Sequence, residues 1–329
     1  MRTVVSRTLI SLLGILILTA LPAGGAWGEY PEKPVTIVIP FGAGGSHDLH
    51  ARGVAGIFPD VLGQPVLVKL MPGGAATIGT NFVAQAPPDG YTILFSHNAI
   101  DLILPQTRKV PYDSLRDFVP IFQLNASSPV LAVPVNRPWK TIQEFIKYAK
   151  ANPGKVNVAT AGLWSAGHTA TELFLKATGI KVTQIPFHGG GPSLLALLAG
   201  DADASFQFAT QLRSQMQAGK VRVLVVAGSK RIDDPLFKDI PTMSELGMGE
   251  GFVMGRIFYV SRKVPPDRIQ KLRESFFKLI KVRSFQSFMK SIGEPIDAVD
   301  GPELDKIRPK LWKEYGDLIR EMAAKKKEK

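Results

Sequence analysis

Short runs of β-branched and aliphatic residues alternate with helical patterns along the first part of the chain. The runs at 35–39, 66–70 and 91–95 have the length and composition of buried strands. Apolar residues at helical spacing follow the first two runs, at 49–58 and 75–86. Strands that alternate with helices in this way predict a parallel sheet joined by right-handed crossovers.

The same alternation returns after residue 128. Strand-like runs lie at 129–133, 156–159, 182–187 and 221–227. Between them, Thr141 has the position of a helix N-cap, and Gly179 has the position of a helix C-terminal stop. Beyond residue 269 the pattern is mostly helical. These patterns predict a second α/β unit followed by a helical C-terminal part.

Length and composition limit the class of protein. The chain has 329 residues, of which 45% are hydrophobic and 21% are charged, as is typical of a globular protein. A single core rarely grows beyond about 250–300 residues, so we expect two domains. Because the sequence contains no cysteine, it excludes a disulfide scaffold, a cysteine-ligated metal site, a thiol nucleophile and a lipid-anchoring cysteine.

The first 28 residues have the pattern of a secretory signal peptide. Arg2 and Arg7 precede an uncharged apolar stretch, which Pro22 interrupts before small residues lead to Gly28. An uncleaved membrane anchor is the alternative, because the stretch is nearly long enough to span a bilayer. Since Pro22 breaks the helix early, we expect cleavage near Gly28 and an exported, soluble protein. Loss of the two arginines lowers the net charge from +12 to +10.

The positive charge alone does not choose between nucleic acid, a membrane surface and small anions, but the glycine-rich turns do. Four such turns join a predicted strand to a predicted helix, at 42–45, 72–74, 162–167 and 189–191. Each exposes backbone N–H groups at the positive end of a helix dipole. In an open α/β sheet these turns share the edge where ligands bind. We therefore expect anion binding with Ser46 and Ser165 as hydroxyl donors, although any single turn could be purely structural.

Motifs for nucleotide binding and serine hydrolysis are incomplete. His47 stands where the dinucleotide fingerprint has its third glycine. The Gly-Lys pairs at 154–155 and 219–220 are followed by valine rather than by the Ser or Thr of a P-loop. Ser165 lacks the glycine two positions before it that a nucleophile elbow needs. Both functions are therefore disfavoured.

The histidines give a weak indication of a metal site. His47 and His50 lie three residues apart with Asp48 between them, but no third ligand has a matching spacing. We therefore predict no metal, and we expect Asp48 to be a first-turn acid that accepts hydrogen bonds from backbone N–H groups. His47 and His168 each follow a glycine turn and could either face an anion or act as structural polar groups.

Several motifs resemble a known family. The run from Tyr30 to Asp48, YPEKPVTIVIPFGAGGSHD, resembles the mature N-terminus of the Bug family, the periplasmic solute receptors of tripartite tricarboxylate transporters. Other matching motifs are Pro72-Gly-Gly74, Pro88-Asp-Gly-Tyr91, Asn152-Pro-Gly154, Ser165-Ala-Gly-His168 and Ile240-Pro-Thr242. The resemblance covers nearly all of the chain beyond residue 28, but the aromatic-Gly pair and the following Pro of the family's returning strand are not recognisable between Gly255 and Ser261.

The resemblance implies an α/β, two-domain periplasmic binding protein of the Venus-flytrap, type II-like class, with a ligand cleft between the lobes. Domain 1 would comprise 29–125 together with 253–329, and domain 2 would comprise 126–252. The implied ligand-binding residues are Phe41, Gly44, Gly45, Ser46, His47, Asp48, Ser96, Asn98, Ser165, Ala166, Gly167, His168, Phe187 and Gln207.

The resemblance also implies a function. The protein would be a monomeric periplasmic receptor, without catalysis, cofactor or metal, for a di- or tricarboxylate or an aromatic or amino-acid carboxylate. It would deliver this ligand to membrane permease subunits. Alternatives are an orphan carboxylate-sensing receptor and, less favoured, a secreted hydrolase or isomerase. A nucleic-acid partner is not expected, because the basic residues are dispersed and not interleaved with aromatic ones.

Overall fold

The computed structural model describes residues 30–327 of the chain, so the predicted signal peptide at 1–28 lies outside the described residues. Within this range, strands form two separate sheets with helices packed against them. No helix within 30–327 combines the length and the apolar character needed to cross a membrane.

The first sheet has six strands in the order β11-β4-β10-β3-β1-β2. Their bounds are β1 Val35–Ile39, β2 Val66–Leu70, β3 Thr92–His97, β4 Phe118–Ser127, β10 Met254–Ser261 and β11 Val299–Asp300. Strand β1 pairs in parallel with both β2 and β3. Strand β10 is antiparallel to both β3 and β4, and β11 is antiparallel to β4.

The second sheet has five strands in the order β7-β6-β8-β5-β9. Their bounds are β5 Val130–Pro134, β6 Asn157–Thr160, β7 Thr183–Pro186, β8 Ala204–Gln207 and β9 Val221–Val226. Strand β6 is parallel to β7 and β8, whereas β5 is antiparallel to β8 and β9. We call the six-stranded sheet with its helices lobe 1 and the five-stranded sheet with its helices lobe 2. The predicted domain limits stay a prediction.

The expectation of parallel sheets is correct for β1 to β3 and for β6 to β8, but it is wrong for β5 and β10. The reason is the route of the chain between the sheets. Strand β4 leads into β5 through only two residues, and β10 starts opposite the end of β4, where Met254 pairs with Ser127. Strands β5 and β10 therefore each start at the sheet edge where their neighbouring strands end, so they run antiparallel to those neighbours.

Helices cover both sheets. In lobe 1 they are α1 Ser46–Ile57, α2 Pro59–Leu62, α3 Thr77–Gln85, α4 Asn98–Leu102, α5 Leu104–Thr107, α6 Ser114–Asp117, α11 Pro266–Leu279, α12 Arg283–Ser291 and α13 Gly301–Lys327. In lobe 2 they are α7 Ile142–Ala151, α8 Ala166–Thr178, α9 Gly190–Ala199 and α10 Ala209–Gln217.

Two helix ends follow the sequence signals. The Thr141 side chain accepts a hydrogen bond from the Glu144 amide at 3.2 Å, and the Glu144 carboxylate reaches back to the Thr141 amide, which completes a capping box at the start of α7. Helix α8 ends at Gly179, whose φ of 70° is the left-handed conformation that glycine adopts without strain. Both predictions are confirmed.

The core of lobe 1 is built on phenylalanines from four parts of the chain. The ring of Phe276 on α11 lies 4.4 Å from that of Phe258 and 4.5 Å from that of Phe58, and it stacks on Phe122 at 5.2 Å. All four side chains are buried. This packing fixes the sheet whose carboxyl edge faces lobe 2.

Candidate ligand-binding site

A cavity of about 190 Å³ lies between the lobes, beyond the carboxyl ends of β1, β2, β6 and β7. From lobe 1 it is lined by Pro40, Phe41, Gly73, Ala75, Ala76 and Ile100. From lobe 2 it is lined by Ala161, Gly162, Leu163, Ser165, Pro186, Phe187 and His188. The predicted turns at 72–74 and 162–167 supply lining residues. The turns at 42–45 and 189–191 directly follow Phe41 and His188, which also line the cavity. Two of the four glycine turns therefore line this cavity, and the other two start next to residues that line it.

The chemistry of the lining is mostly apolar. Ser165 and His188 are its polar side chains, and its lining includes no Asp, Glu, Lys or Arg. Ser165 is the N-cap of α8 and accepts a hydrogen bond from the His168 amide at 3.3 Å, which leaves its own hydroxyl hydrogen for a ligand. The positive end of the α8 dipole is directed at the same place. The cavity can therefore hold an anionic or polar head and an apolar body.

Backbone strain is concentrated at this cavity. Ala75 (φ 55°), Ala76 (φ 74°) and Trp164 (φ 57°) are the non-glycine residues with positive φ among those the structure describes. Ala75 and Ala76 line the cavity, and Trp164 lies between two residues that line it. Each such conformation costs about 1–3 kcal/mol and persists only where the surroundings impose it. The strained residues therefore lie on both walls of the cavity.

The first glycine turn is held from within by Asp48. Its carboxylate accepts a hydrogen bond from the Gly44 amide at 2.9 Å and forms an ion pair with Arg52 at 2.9 Å. Asp48 is thus the first-turn acid that the sequence predicted, in the first turn of α1. Gly45 is the N-cap of this helix, with no side-chain cap.

Buried histidines lie behind the first turn. His47 Nε2 is 3.2 Å from the carbonyl oxygen of Ser96, and the rings of His47 and His97 both contact that of Phe41. Burial, the neighbouring His97 and the Arg256 charge hold the pKa of His47 well below its usual range. Burial and Arg256 likewise lower the pKa of His97 to about 3. Both imidazoles are therefore neutral at neutral pH and act as structural polar groups. Among residues 30–327, no three His, Asp or Glu side chains are grouped as metal ligands.

Sequence reasoning missed Arg256, which lies on β10 and is fully buried. Its guanidinium donates to Ser46 Oγ at 2.8 Å and to Ser127 Oγ at 2.8 Å, and it pairs with Glu294 at 3.2 Å. It also lies 4.6 Å above the ring of Phe208 in lobe 2. Arg256 therefore orients Ser46 at the start of α1 and joins β10 to the end of β4. An arginine within an apolar run was the signal available in the sequence.

Other predicted site residues lie beside the cavity or behind its walls. Ser96 directs its side chain to a separate small void that Thr80 also lines, because it lies on the opposite face of β3 from His97. Asn98 donates to the Val253 carbonyl at 3.0 Å. Gln207 donates to Ser193 Oγ at 2.7 Å inside lobe 2.

Among the predicted residues of the second loop, Ala166, Gly167 and His168 form the first turn of α8. A Cβ on Gly167 would lie 2.7 Å from the Phe206 carbonyl oxygen, so this turn packs tightly on β8. The His168 ring contacts that of Trp164 with a centroid distance of 5.1 Å. Of the predicted side chains, those of Phe41, Ser165 and Phe187 line the cavity, whereas His188, Ile100 and Leu163 line it without having been predicted.

A larger groove of about 980 Å³ runs along 229–235 and 286–297, away from the glycine turns. It contains none of the predicted site residues. Two of its charged side chains, Arg213 and Asp234, pair with each other. The cavity at the glycine turns is therefore the better candidate site.

Known proteins resemble this chain in both sequence and structure. The family model described as "Tripartite tricarboxylate transporter family receptor" matches residues 50–323. Protein BugT of Bordetella pertussis is 35% identical over 245 residues, which cover 74% of this chain and 74% of that protein.

Two solved structures share the fold. The periplasmic binding protein BugD superposes with a TM-score of 0.84 at 30% identity, over 89% of this chain and 99% of that one. MatC from Rhodopseudomonas palustris, solved with bound malate, superposes with a TM-score of 0.78 at 27% identity, over 88% of this chain and 100% of that one. These similarities confirm the predicted fold class, an α/β periplasmic binding protein with two lobes.

Proposed function

Because the chain belongs to the tripartite tricarboxylate transporter receptor family, we propose that it captures a small carboxylate between its lobes and delivers it to the membrane components of such a transporter. The membership confirms the resemblance to the Bug family, and the chain is a solute-binding receptor. Receptors of this family are periplasmic. We propose the same location for this chain, reached through a signal peptide at 1–28.

The observation that carries the proposal is that glycine turns from both lobes line or flank one cavity. Backbone N–H groups and the N-terminus of α8 provide positive potential there, and no acidic side chain lines the cavity to oppose an anion. A micromolar receptor needs about 8 kcal/mol of binding free energy. Hydrogen bonds to a charged group contribute about 1.5–3 kcal/mol each, so a few contacts with one or two carboxylates are sufficient.

The size and lining of the cavity favour a small acid with an apolar body. Its volume of about 190 Å³ far exceeds the roughly 10–15 Å³ that one water molecule needs. Phe41, Phe187 and Leu163 provide apolar walls. Malate, the ligand in the MatC structure, is an acid of suitable size, so it is the first ligand to test.

We assign the contact roles as follows. The Ser165 hydroxyl donates to a carboxylate, and Phe41 and Phe187 pack on the ligand body. Gly44, Gly45, Ser46, His47 and Asp48 shape the first wall, and Ala166, Gly167 and His168 shape the second. Ser96, Asn98 and Gln207 support these walls from behind.

Closure of two domains completes the proposed mechanism. Residues 29–125 with 253–329 would form one domain and 126–252 the other, with the crossings before β5 and before β10 as hinges. Closure removes water from the carboxylate contacts and so strengthens them. The receptor acts as a monomer, and it binds its ligand without converting it.

Titration calorimetry with malate, succinate, adipate, citrate and benzoate tests the proposal. We expect at least one of these acids to bind, and we expect Ser165→Ala to weaken that binding about tenfold, which is about 1.4 kcal/mol. Ser214→Ala is the matched control, because Ser214 is an exposed residue of α10, and its affinity should equal that of the wild type.

Absence of binding to every acid in this panel would contradict the proposal. Recovery of the bound acid after incubation, followed by NMR, separates a receptor from an enzyme. We expect the acid to be unchanged, and a chemically altered product would show catalysis instead.

A further inference from the structure

Glycine turns from the two lobes touch each other directly beside the cavity. The Gly42 amide of lobe 1 donates a hydrogen bond to the His188 carbonyl of lobe 2 at 2.8 Å. Gly42–Gly45 and His188–Gly191 therefore meet backbone to backbone. We call this contact the glycine clasp.

The clasp leaves no room for a side chain at two positions. A Cβ on Gly191 would lie 2.0 Å from the Ala43 carbonyl oxygen, and its three nearest atoms all belong to Ala43 or Gly44 in the other lobe. A Cβ on Gly42 would lie 2.7 Å from the His188 carbonyl oxygen, and its next neighbours belong to Pro192. Ordinary Cβ contacts lie at 3.4–4 Å, so either side chain would force the lobes apart.

Local backbone conformation does not explain glycine at these two positions. Neither Gly42 nor Gly191 is among the glycines with positive φ, and Gly191 lies within α9, where alanine is the better helix former. The space that a Cβ would occupy at Gly42 or Gly191 is thus filled by atoms of the opposite lobe. Gly189 differs, because its φ of 134° already disfavours any side chain.

We propose that Gly42 and Gly191 are positioning residues that allow the lobes to close, so that ligand affinity depends on a protein–protein contact across the cleft as well as on contacts with the ligand. This inference rests on the proposed function, since it concerns closure around the same cavity. It also changes the assignment of the first turn. The Gly42 amide holds the opposite lobe and does not bind the carboxylate, and the Gly44 amide is bonded to Asp48.

Distances between spin labels on the two lobes measure the closure directly. The chain has no cysteine, so Leu67→Cys in β2 and Tyr148→Cys in α7, both exposed positions, provide a unique pair of labels. Double electron–electron resonance is recorded without ligand and with malate. We expect the labelled protein with an intact clasp to show a short-distance population. The labelled Gly42→Ala and Gly191→Ala variants should both lack it.

Gly56→Ala is the matched control, because Gly56 lies in α1 and a Cβ there meets nothing within 4 Å. This variant should keep the short-distance population. In calorimetry with the acid that binds the wild type, Gly191→Ala should bind at least tenfold more weakly and Gly56→Ala should bind equally well. Thermal unfolding of each variant shows whether it is folded, and the two clasp variants lie in different lobes, so a folding defect in one leaves the other as a test.

The outcomes separate this inference from the proposed function. The clasp is refuted if both variants keep the short-distance population of the wild type, or if the wild type has none under either condition. If the wild type binds no acid but has a short-distance population that Gly191→Ala lacks, the clasp stands and the proposed function does not. If the acid binds all variants equally, the proposed function stands and the clasp does not.

Discussion

Replacing Glu294 with glutamine removes the negative charge that faces the buried guanidinium of Arg256. In the native protein the Glu294 carboxylate lies 3.2 and 3.3 Å from two guanidinium nitrogens and accepts a hydrogen bond from Asn125 at 2.7 Å. Both charged side chains are almost completely buried, at 0% and 2% exposure. Glu294→Gln therefore leaves a buried positive charge without its partner.

The expected loss is large because water cannot reach the remaining charge. Removing one partner of a buried ion pair costs about 3–5 kcal/mol. At about 2.1 cal/mol/K of unfolding entropy per residue, a protein of about 300 residues shifts its thermal midpoint by about 1.6 °C for each 1 kcal/mol. We therefore expect the midpoint of Glu294→Gln to fall by roughly 5–8 °C in a scanning calorimeter.

A surface pair provides the control for this prediction. Glu314 lies 3.7 Å from Lys310 on α13, and both side chains are more than half exposed. Exposed pairs contribute at most about 1 kcal/mol, so Glu314→Gln should leave the midpoint nearly unchanged. A midpoint for Glu294→Gln within 2 °C of the wild type would refute the reasoning and would mean that Ser46, Asn125 and Ser127 alone compensate the charge of Arg256.

Three further substitutions test other parts of the structure. Phe276→Ala removes the ring on which the aromatic core of lobe 1 converges and should destabilise the protein by about 3–5 kcal/mol in urea denaturation; a loss under about 1 kcal/mol would show that the core can collapse around the gap. His97 has a lowered pKa of about 3, so below pH 6.5 the unfolded chain binds a proton that the folded chain excludes, and stability falls as the pH drops from 6.5 towards 3, by up to about 1.4 kcal/mol per pH unit. His97→Phe should make this dependence shallower in denaturation measured at several pH values, while the contribution of His47 remains, and an unchanged slope would contradict the assignment. Thr141→Ala breaks the capping box of α7 and should cost about 0.5–2 kcal/mol by the same method, whereas an unchanged midpoint would show that Glu144 alone sustains the cap.

The strands that the sequence predicted are short runs rich in β-branched and aliphatic residues. Strands β1 and β2 match their predicted ranges because five consecutive residues in each carry the β pattern. Strand β10 was not predicted, because its start at Met254-Gly255-Arg256 lacks the β pattern. Arginine is tolerated there only because Glu294, Asn125 and Ser127 come from distant parts of the chain to meet it. No local pattern contains that information.

In the candidate site, too, features set by local sequence were predicted, whereas features set by contacts between distant residues were not. Glycine turns before helices are visible in sequence, and all four lie where the carboxyl-edge argument places them. The direction of individual side chains is less visible. The resemblance grouped Ser96 with the ligand contacts, but strand alternation turns its side chain to the face opposite His97. Ala75 and Ala76 carry no polar group that would draw attention, and only the folded backbone shows that they are strained against the cavity.

The position of β10 between β3 and β4 determines the order in which the two lobes can be completed. A chain emerging from its N-terminus has made every strand of lobe 2 by residue 226, whereas lobe 1 lacks a central strand until 254–261 has emerged. Until then the edges of β3 and β4 are open, and open edges invite pairing with other chains. The lobe that starts first in the sequence is therefore finished last, and any factor that protects the emerging chain has to shield those two strands while the more than 120 residues between Ser127 and Met254 follow.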